Sequence, residues 1–153
     1  MSNRIRSLIQ SAWLNRFTTS LTDRFLPLDS LGKRGEREAE RFLLKKGMVI
    51  IYRSFENQFG EIDLIAADGK TIVFVEVKTR SSDLAGRPDE AVDERKQNQI
   101  SQTAIAFLRQ NNLLEMPARF DVISIMWPDS TATPEITHYE NAFETTGDFQ
   151  MLS

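Results

Sequence analysis

No cysteine occurs in the 153 residues, and histidine occurs once, at His138. Disulfide stapling is thereby excluded, and zinc or iron–sulfur centres built from thiolate and imidazole have almost no ligands to draw on. A metal in this chain is expected to be a hard ion held by oxygen, such as magnesium or manganese. The lack of cysteine also suits a cytoplasmic protein. No apolar run is long enough to span a bilayer or to act as a secretory signal. Lysine and arginine are missing from the stretch 128–153, where five acids stand (Asp129, Glu135, Glu140, Glu144 and Asp148). The formal net charge of −3 and pI near 5.3 argue against an indiscriminate nucleic-acid coat. Setting those five acids aside leaves 17 acids against 19 bases in the remainder, which keeps a weak, localised attraction for DNA open.

What is present is enough for one main core, since 41% of the residues are hydrophobic. The chain divides into an amphipathic helical extension over 1–30, a single domain over 31–143 and a loosely ordered tail over 144–153. In the extension, Ile5, Leu8, Ile9, Ala12, Trp13, Phe17 and Leu21 recur at helical spacing, with Arg4, Arg6, Arg16 and Arg24 off that line. Packing on the core or on a second subunit is the plain reading. An organellar transit peptide or membrane-surface helix is the alternative, because no acid precedes Asp23.

The stretch from Phe59 to Arg80, FGEIDLIAADGKTIVFVEVKTR, organises the domain. Two runs rich in β-branched residues flank Asp68-Gly69, a dipeptide suited to a type I′ hairpin. With that dipeptide as the loop, Ala67 faces Lys70, Asp63 faces Phe74 and Glu61 faces Glu76. One face carries Glu61, Asp63, Glu76 and Lys78, and the other carries Ile62, Leu64, Val73, Val75 and Val77. In this register Asp63 and Glu76 are diagonal neighbours about 7 Å apart at the backbone, so their carboxylates can converge on one ion. A divalent cation relieves their repulsion, polarises a phosphate oxygen and binds a water that Lys78 can orient or deprotonate. That is a constellation for phosphodiester hydrolysis. A solvated hairpin face with Glu76 and Lys78 in an ordinary ion pair accounts for the same residues.

Around the hairpin, a helix is expected from about Lys33 to Lys46, closed by Gly47, with Ala39, Phe42 and Leu43 inward and Glu36 bordering the buried side. Its six bases are either a solvated surface or phosphate contacts. Met48 to Phe55 is expected as a strand. Pro88 begins the next helix, with Val92, Ile100, Ala104, Phe107 and Leu108 as its inner stripe. Lys96 interrupts that stripe and either snorkels outward or points at the acidic site. Arg119 to Trp127 is nearly continuous in apolar residues, as for a strand covered on both faces and parallel to its neighbour. Glu135 to Tyr139 is expected as a short edge strand.

The order helix, three antiparallel strands, helix, strand, with a glutamate on the first helix and D-x12-E-x-K across the hairpin, resembles the PD-(D/E)XK nuclease core. More closely, G-x2-G-E-x2-A-x2-F-L (Gly32 to Leu43), GEIDLIA (Gly60 to Ala66), FVEVKTR (Phe74 to Arg80) and RFDVISI (Arg119 to Ile125) resemble the YraN family of uncharacterised bacterial proteins, which is similar to archaeal Holliday junction resolvases. The resemblance covers about residues 32–143. It implies an α/β, restriction-endonuclease-like core with a mixed sheet of about five strands, antiparallel hairpins plus one parallel crossover, flanked by helices. It further implies a magnesium- or manganese-dependent DNA endonuclease. Asp63 and Glu76 would bind the metal, Glu36 would complete the acidic cluster and Lys78 would assist the attacking water. Glu61, Lys96 and Arg80 are candidates for the metal's surroundings or for substrate contact. Ile62 stands where the pattern has proline. Resolvase-like cutting of two strands suggests a homodimer, and the N-terminal helix is a candidate docking element for a partner or second subunit. A contrasting reading keeps the fold as a non-catalytic module that binds nucleic acid or protein.

Overall fold

A computed structural model describes residues 3–10, 30–81, 92–129 and 133–145. Most of the N-terminal extension, the loop after Ser81 with Pro88, and the tail from 146 onward lie outside the described residues.

Five strands form one mixed sheet in sequence order: β1 (Val49–Asn57), β2 (Gly60–Asp68), β3 (Thr71–Ser81), β4 (Ala118–Trp127) and β5 (Glu135–Phe143). β1, β2 and β3 are antiparallel; β4 joins β3 in parallel; β5 returns antiparallel to β4. The parallel step is made through helix α3 (Glu94–Gln110), as a crossover requires. Helix α2 (Leu31–Lys45) packs on the opposite face, and a short helix α1 spans residues 3–10. The architecture is therefore α/β, a five-stranded sheet flanked by three helices. Among the described residues, no helix is long and apolar enough to cross a membrane.

Each face of the sheet has its own core. On the α2 side Ala39, Leu43, Leu64, Val73, Val75 and Ile123 are buried together. On the α3 side Ile65, Ile72, Phe74, Ile100, Phe107 and Phe120 form the second cluster, which Ile5 and Leu8 of α1 also enter. The apolar residues of α1 are thus spent on its own domain. Phe107 sits edge-on to Tyr52, Phe55 and Phe74. Truncating such a buried ring costs about 3–5 kcal/mol.

Helix ends follow local chemistry. Ser30 Oγ accepts a hydrogen bond from the Lys33 amide, starting α2, and Gly47 lies just beyond its C-terminal end. Helix α3 begins at Glu94 rather than at Pro88, because the Asp93 carboxylate accepts from the Lys96 amide at 2.8 Å and caps the helix there. Strand β5 runs to Phe143, four residues beyond the expected end at Tyr139, since a register shift between Phe120 and Val122 lets the pairing with β4 continue.

The hairpin of β2 and β3 keeps a two-residue loop, but the loop is Gly69-Lys70. Asp68 pairs with Thr71 and Ala67 with Ile72. Asp68 stays in the strand, where its carboxylate receives Arg119 of β4 at 2.9 Å. Gly69 has φ +59 and Lys70 has no positive φ, the pattern of a type II′ turn instead of type I′. The slide is by two residues, so the faces are unchanged while the partners move. Leu64 pairs with Val75, where the regular ladder ends, so Asp63 and Glu76 are the next residues beyond it on their strands.

Candidate functional site

Asp63 lies at an irregularity. Tyr52 and Ile65 are paired across β1 and β2 and pack on the α3 side. Phe55 and Ile62, three residues farther along each strand, pack on that same side. An odd step should reverse the face, so the alternation slips between them. Ile62 is accordingly buried with the α3-side core and not beside Leu64, as the simple alternation had placed it. Ser54 and Asp63 are the residues at the slip, and Ser54 has φ +46, in the left-handed region that non-glycine residues seldom adopt. No sequence marker announces this conformation.

The slip sets Asp63 between the two layers. Its Oδ2 accepts from the Val77 amide of β3 at 2.6 Å. Burial raises its pKa; that amide and the charge of Lys96 pull it down, and Glu61 pushes it up. Glu76, on β3, is pushed up to about 7, first by burial and then by Asp63, against the attraction of Lys96 and Lys78. Lys96 of α3 reaches Glu76 Oε1 at 3.3 Å. The other carboxylate oxygen, Glu76 Oε2, is buried and has no hydrogen-bond partner.

Glu36 comes from α2. At the preceding residue, Gly35, an added Cβ would lie 1.7 Å from Thr79 Oγ1, so only glycine lets α2 approach β3 this closely. Burial raises the Glu36 pKa, as do Asp63 and Glu61, while Lys33 and the Ser54 hydroxyl oppose the rise. Asp63, Glu76, Glu36 and Glu61 thus lie within electrostatic reach of one another, with Lys78 and Lys96 beside Glu76. Arg80 continues β3 two residues past Lys78. Lys96 points at the acids rather than outward, and of the hairpin's polar residues Glu61 is exposed while Asp63, Glu76 and Lys78 are half-buried.

Among the described residues, no three histidine or carboxylate side chains are arranged to hold a metal ion. Asp63 and Glu76 act on each other, and Glu36 acts on Asp63 without completing a three-residue group. That pair still fits a hard cation. Two half-buried acids act on each other and both have raised pKa values, and Glu76 Oε2 is buried without a partner.

Some bases expected as phosphate contacts are engaged elsewhere. Arg34 stacks 4.9 Å from the Trp127 ring, Arg41 pairs with Glu38, and Lys46 pairs with Glu140.

The chain matches the model of "Uncharacterised protein family UPF0102" over residues 35–125. It is 49% identical over 115 residues to a UPF0102 protein of Geotalea uraniireducens, covering 75% of this chain and 90% of that protein. A UPF0102 protein of Geobacter metallireducens is 50% identical over 115 residues, with 75% and 93% covered. One from Rhodococcus opacus is 44% identical over 114 residues, with 74% and 96% covered. The matched span holds Glu36, Asp63, Glu76, Lys78 and Lys96.

Proposed function

The chain belongs to the uncharacterised protein family UPF0102, and from the acidic pair of its hairpin we propose that it is a cytoplasmic, metal-dependent endonuclease that hydrolyses DNA phosphodiester bonds at branched or distorted DNA. The observation that carries this reading is the mutual repulsion of two half-buried acids, Asp63 and Glu76, with Glu76 Oε2 buried and without a hydrogen-bond partner. Folding alone gives no reason to keep two partly desolvated acids within reach of one another, so such a pair marks a functional site.

Magnesium or manganese held there would supply charge to polarise a phosphate oxygen and to acidify a bound water. Asp63 and Glu76 are the residues to hold it, and Glu36 and Glu61 shape the surrounding field. Lys78, whose charge already acts on Glu76, is placed to orient the attacking water at its Nζ and to offset charge developing on the phosphate. Cutting two strands of a junction calls for two such sites, and hence for a homodimer.

The test is cleavage of branched and single-stranded DNA with magnesium or manganese, by the wild type and by Glu76→Ala. Cleavage that the substitution reduces by roughly 10²-fold or more, with the melting curve still cooperative, supports the reading. Equal cleavage by both proteins would mean a contaminating nuclease and would remove the proposal. The second reading, a binding module without catalysis, draws on the Lys96–Glu76 ion pair that closes the acidic pair. It predicts DNA or protein binding with no metal-dependent cleavage at all.

A further inference from the structure

We propose that Lys96 is the built-in counterion of the acidic pair, occupying the cation's place until a divalent ion displaces it and frees its ammonium to meet a substrate phosphate. This rests on the reading of Asp63 and Glu76 as a metal site and adds a means by which that site is filled.

The geometry is asymmetric in a way an ordinary ion pair does not explain. Lys96 Nζ stands 3.3 Å from Glu76 Oε1, leaving Oε2 of the same carboxylate buried and unmatched. Lys96 draws down both Asp63 and Glu76 and Lys78 draws down Glu76, but Glu61 and Glu36 add negative charge beside the pair. The pair is therefore under-neutralised. A divalent ion matches both charges and offers ligand positions to Oε2, so exchange of ammonium for metal completes the balance.

The route for the exchange is also present. Lys96 lies in the first turn of α3, next to its Asp93 cap, and its side chain is about one-third exposed, at 31%. A rotamer change carries the ammonium from the acids into solvent without moving the helix. Any phosphate drawn to the metal would arrive beside a lysine that has just lost its partner. Lys78 approaches Glu76 from the strand and Lys96 from the helix, so the two amines are not redundant.

The experiment is a manganese titration of metal-free, full-length protein by calorimetry at pH 8.5, paired with thermal melts. Lys96→Met should bind manganese about tenfold more tightly than the wild type, because no ammonium has to be displaced. Its metal-free form should melt lower than the wild type, and manganese should raise its melting temperature by more. Lys96→Arg, which keeps the charge, should bind no more tightly than the wild type, and it keeps the question answerable should Lys96→Met fail to fold. Wild-type binding with equal or weaker binding by Lys96→Met, or tighter binding by Lys96→Arg, overturns the exchange while leaving the metal site standing. Manganese binding by none of the three proteins overturns both the exchange and the metal site.

Discussion

The sheet carries a half-buried aspartate at the hairpin, Asp63, and a fully buried one beside the far edge, Asp121, and their surroundings are opposite in kind. Asp121, on β4, is enclosed by partners. Arg119 donates to it at 3.0 Å, the Asn141 amide at 2.9 Å, and His138 Nε2 lies at 2.9 Å. Lys46 approaches His138 Nδ1 at 3.0 Å; an ammonium can only donate, so Nδ1 accepts and Nε2–H donates to Asp121. Burial would raise the Asp121 pKa, yet the bonds from His138, Arg119 and Asn141 hold it below the ordinary carboxylate value. Asp63 has one amide, a lysine shared with Glu76 and a ring of other acids, and its pKa is raised. Both aspartates stand next to a left-handed residue at a strand irregularity: Ser54 at φ +46 for Asp63, Asn141 at φ +50 for Asp121. The backbone device is the same and the electrostatics are reversed. A carboxylate enclosed by donors in this way holds β5 to β4 and to the end of α2, whereas Asp63 lies among like charges beside Glu76, whose Oε2 has no partner.

The same substitution at the two positions should therefore act in opposite senses. Asp121→Asn removes the negative centre of the network and leaves Arg119 and His138 facing a neutral group, a loss of about 3–5 kcal/mol in denaturant unfolding. Asp63→Asn removes one of two mutually repelling charges. It should leave stability unchanged or raise it, while abolishing metal-dependent cleavage. Stability losses of similar size at both positions would erase the distinction between a structural and a functional aspartate.

Much of this contrast was legible in the sequence, but only where the cause is local. The β-branched runs around Asp68-Gly69 placed the hairpin, and the alternation put Glu76 and Lys78 on one face; it also put Glu61 there, whereas the slip that buries Ile62 with the α3-side core turns Glu61 to the α2 side. The apolar run from Arg119 to Trp127 gave a parallel strand covered on both sides. The register was two residues off because Asp68 is held in its strand by Arg119, 51 positions away. The slip at Ser54 was hidden because a serine in left-handed backbone looks like any other serine. The aim of Lys96 depends on how α3 docks, and Asp121 looked like an interruption in an apolar strand because its partners come from β5 and from β4 itself.

Smaller than the aspartate exchange is the effect of pH on the metal-free protein, where the two regions again pull apart. Glu76 is raised from an ordinary value of 4.5 to about 7, so the folded state binds that proton more tightly than the unfolded chain. Its contribution is fully present below pH 4.5 and is lost as pH rises toward 7, a decline on the order of 3 kcal/mol. Asp121 has a lowered value, so its contribution is present above pH 3.8 and is lost as pH falls below that. Urea midpoints should thus fall on the neutral side through Glu76 and on the acid side through Asp121. Glu76→Gln should flatten only the neutral limb. A neutral limb that persists in Glu76→Gln would mean another group causes it.

The smallest expected difference lies in the backbone beside each aspartate. Serine pays about 1–2 kcal/mol for left-handed backbone that glycine adopts freely, while asparagine visits that region with far less penalty. Ser54→Gly should therefore stabilise by up to about 1 kcal/mol, reduced by loss of the hydroxyl that opposes the raised pKa of Glu36. Asn141→Gly should change stability by only a few tenths of a kcal/mol, because its amide bond to Asp121 is kept. Chemical denaturation at pH 8, where Glu76 is ionised, separates the two. A gain at Ser54 with none at Asn141 means that the hairpin site tolerates strain which the Asp121 network has no need to carry. Equal responses would mean that the left-handed serine is incidental and that the slip in β2 comes from the packing of Phe55 and Ile62 alone.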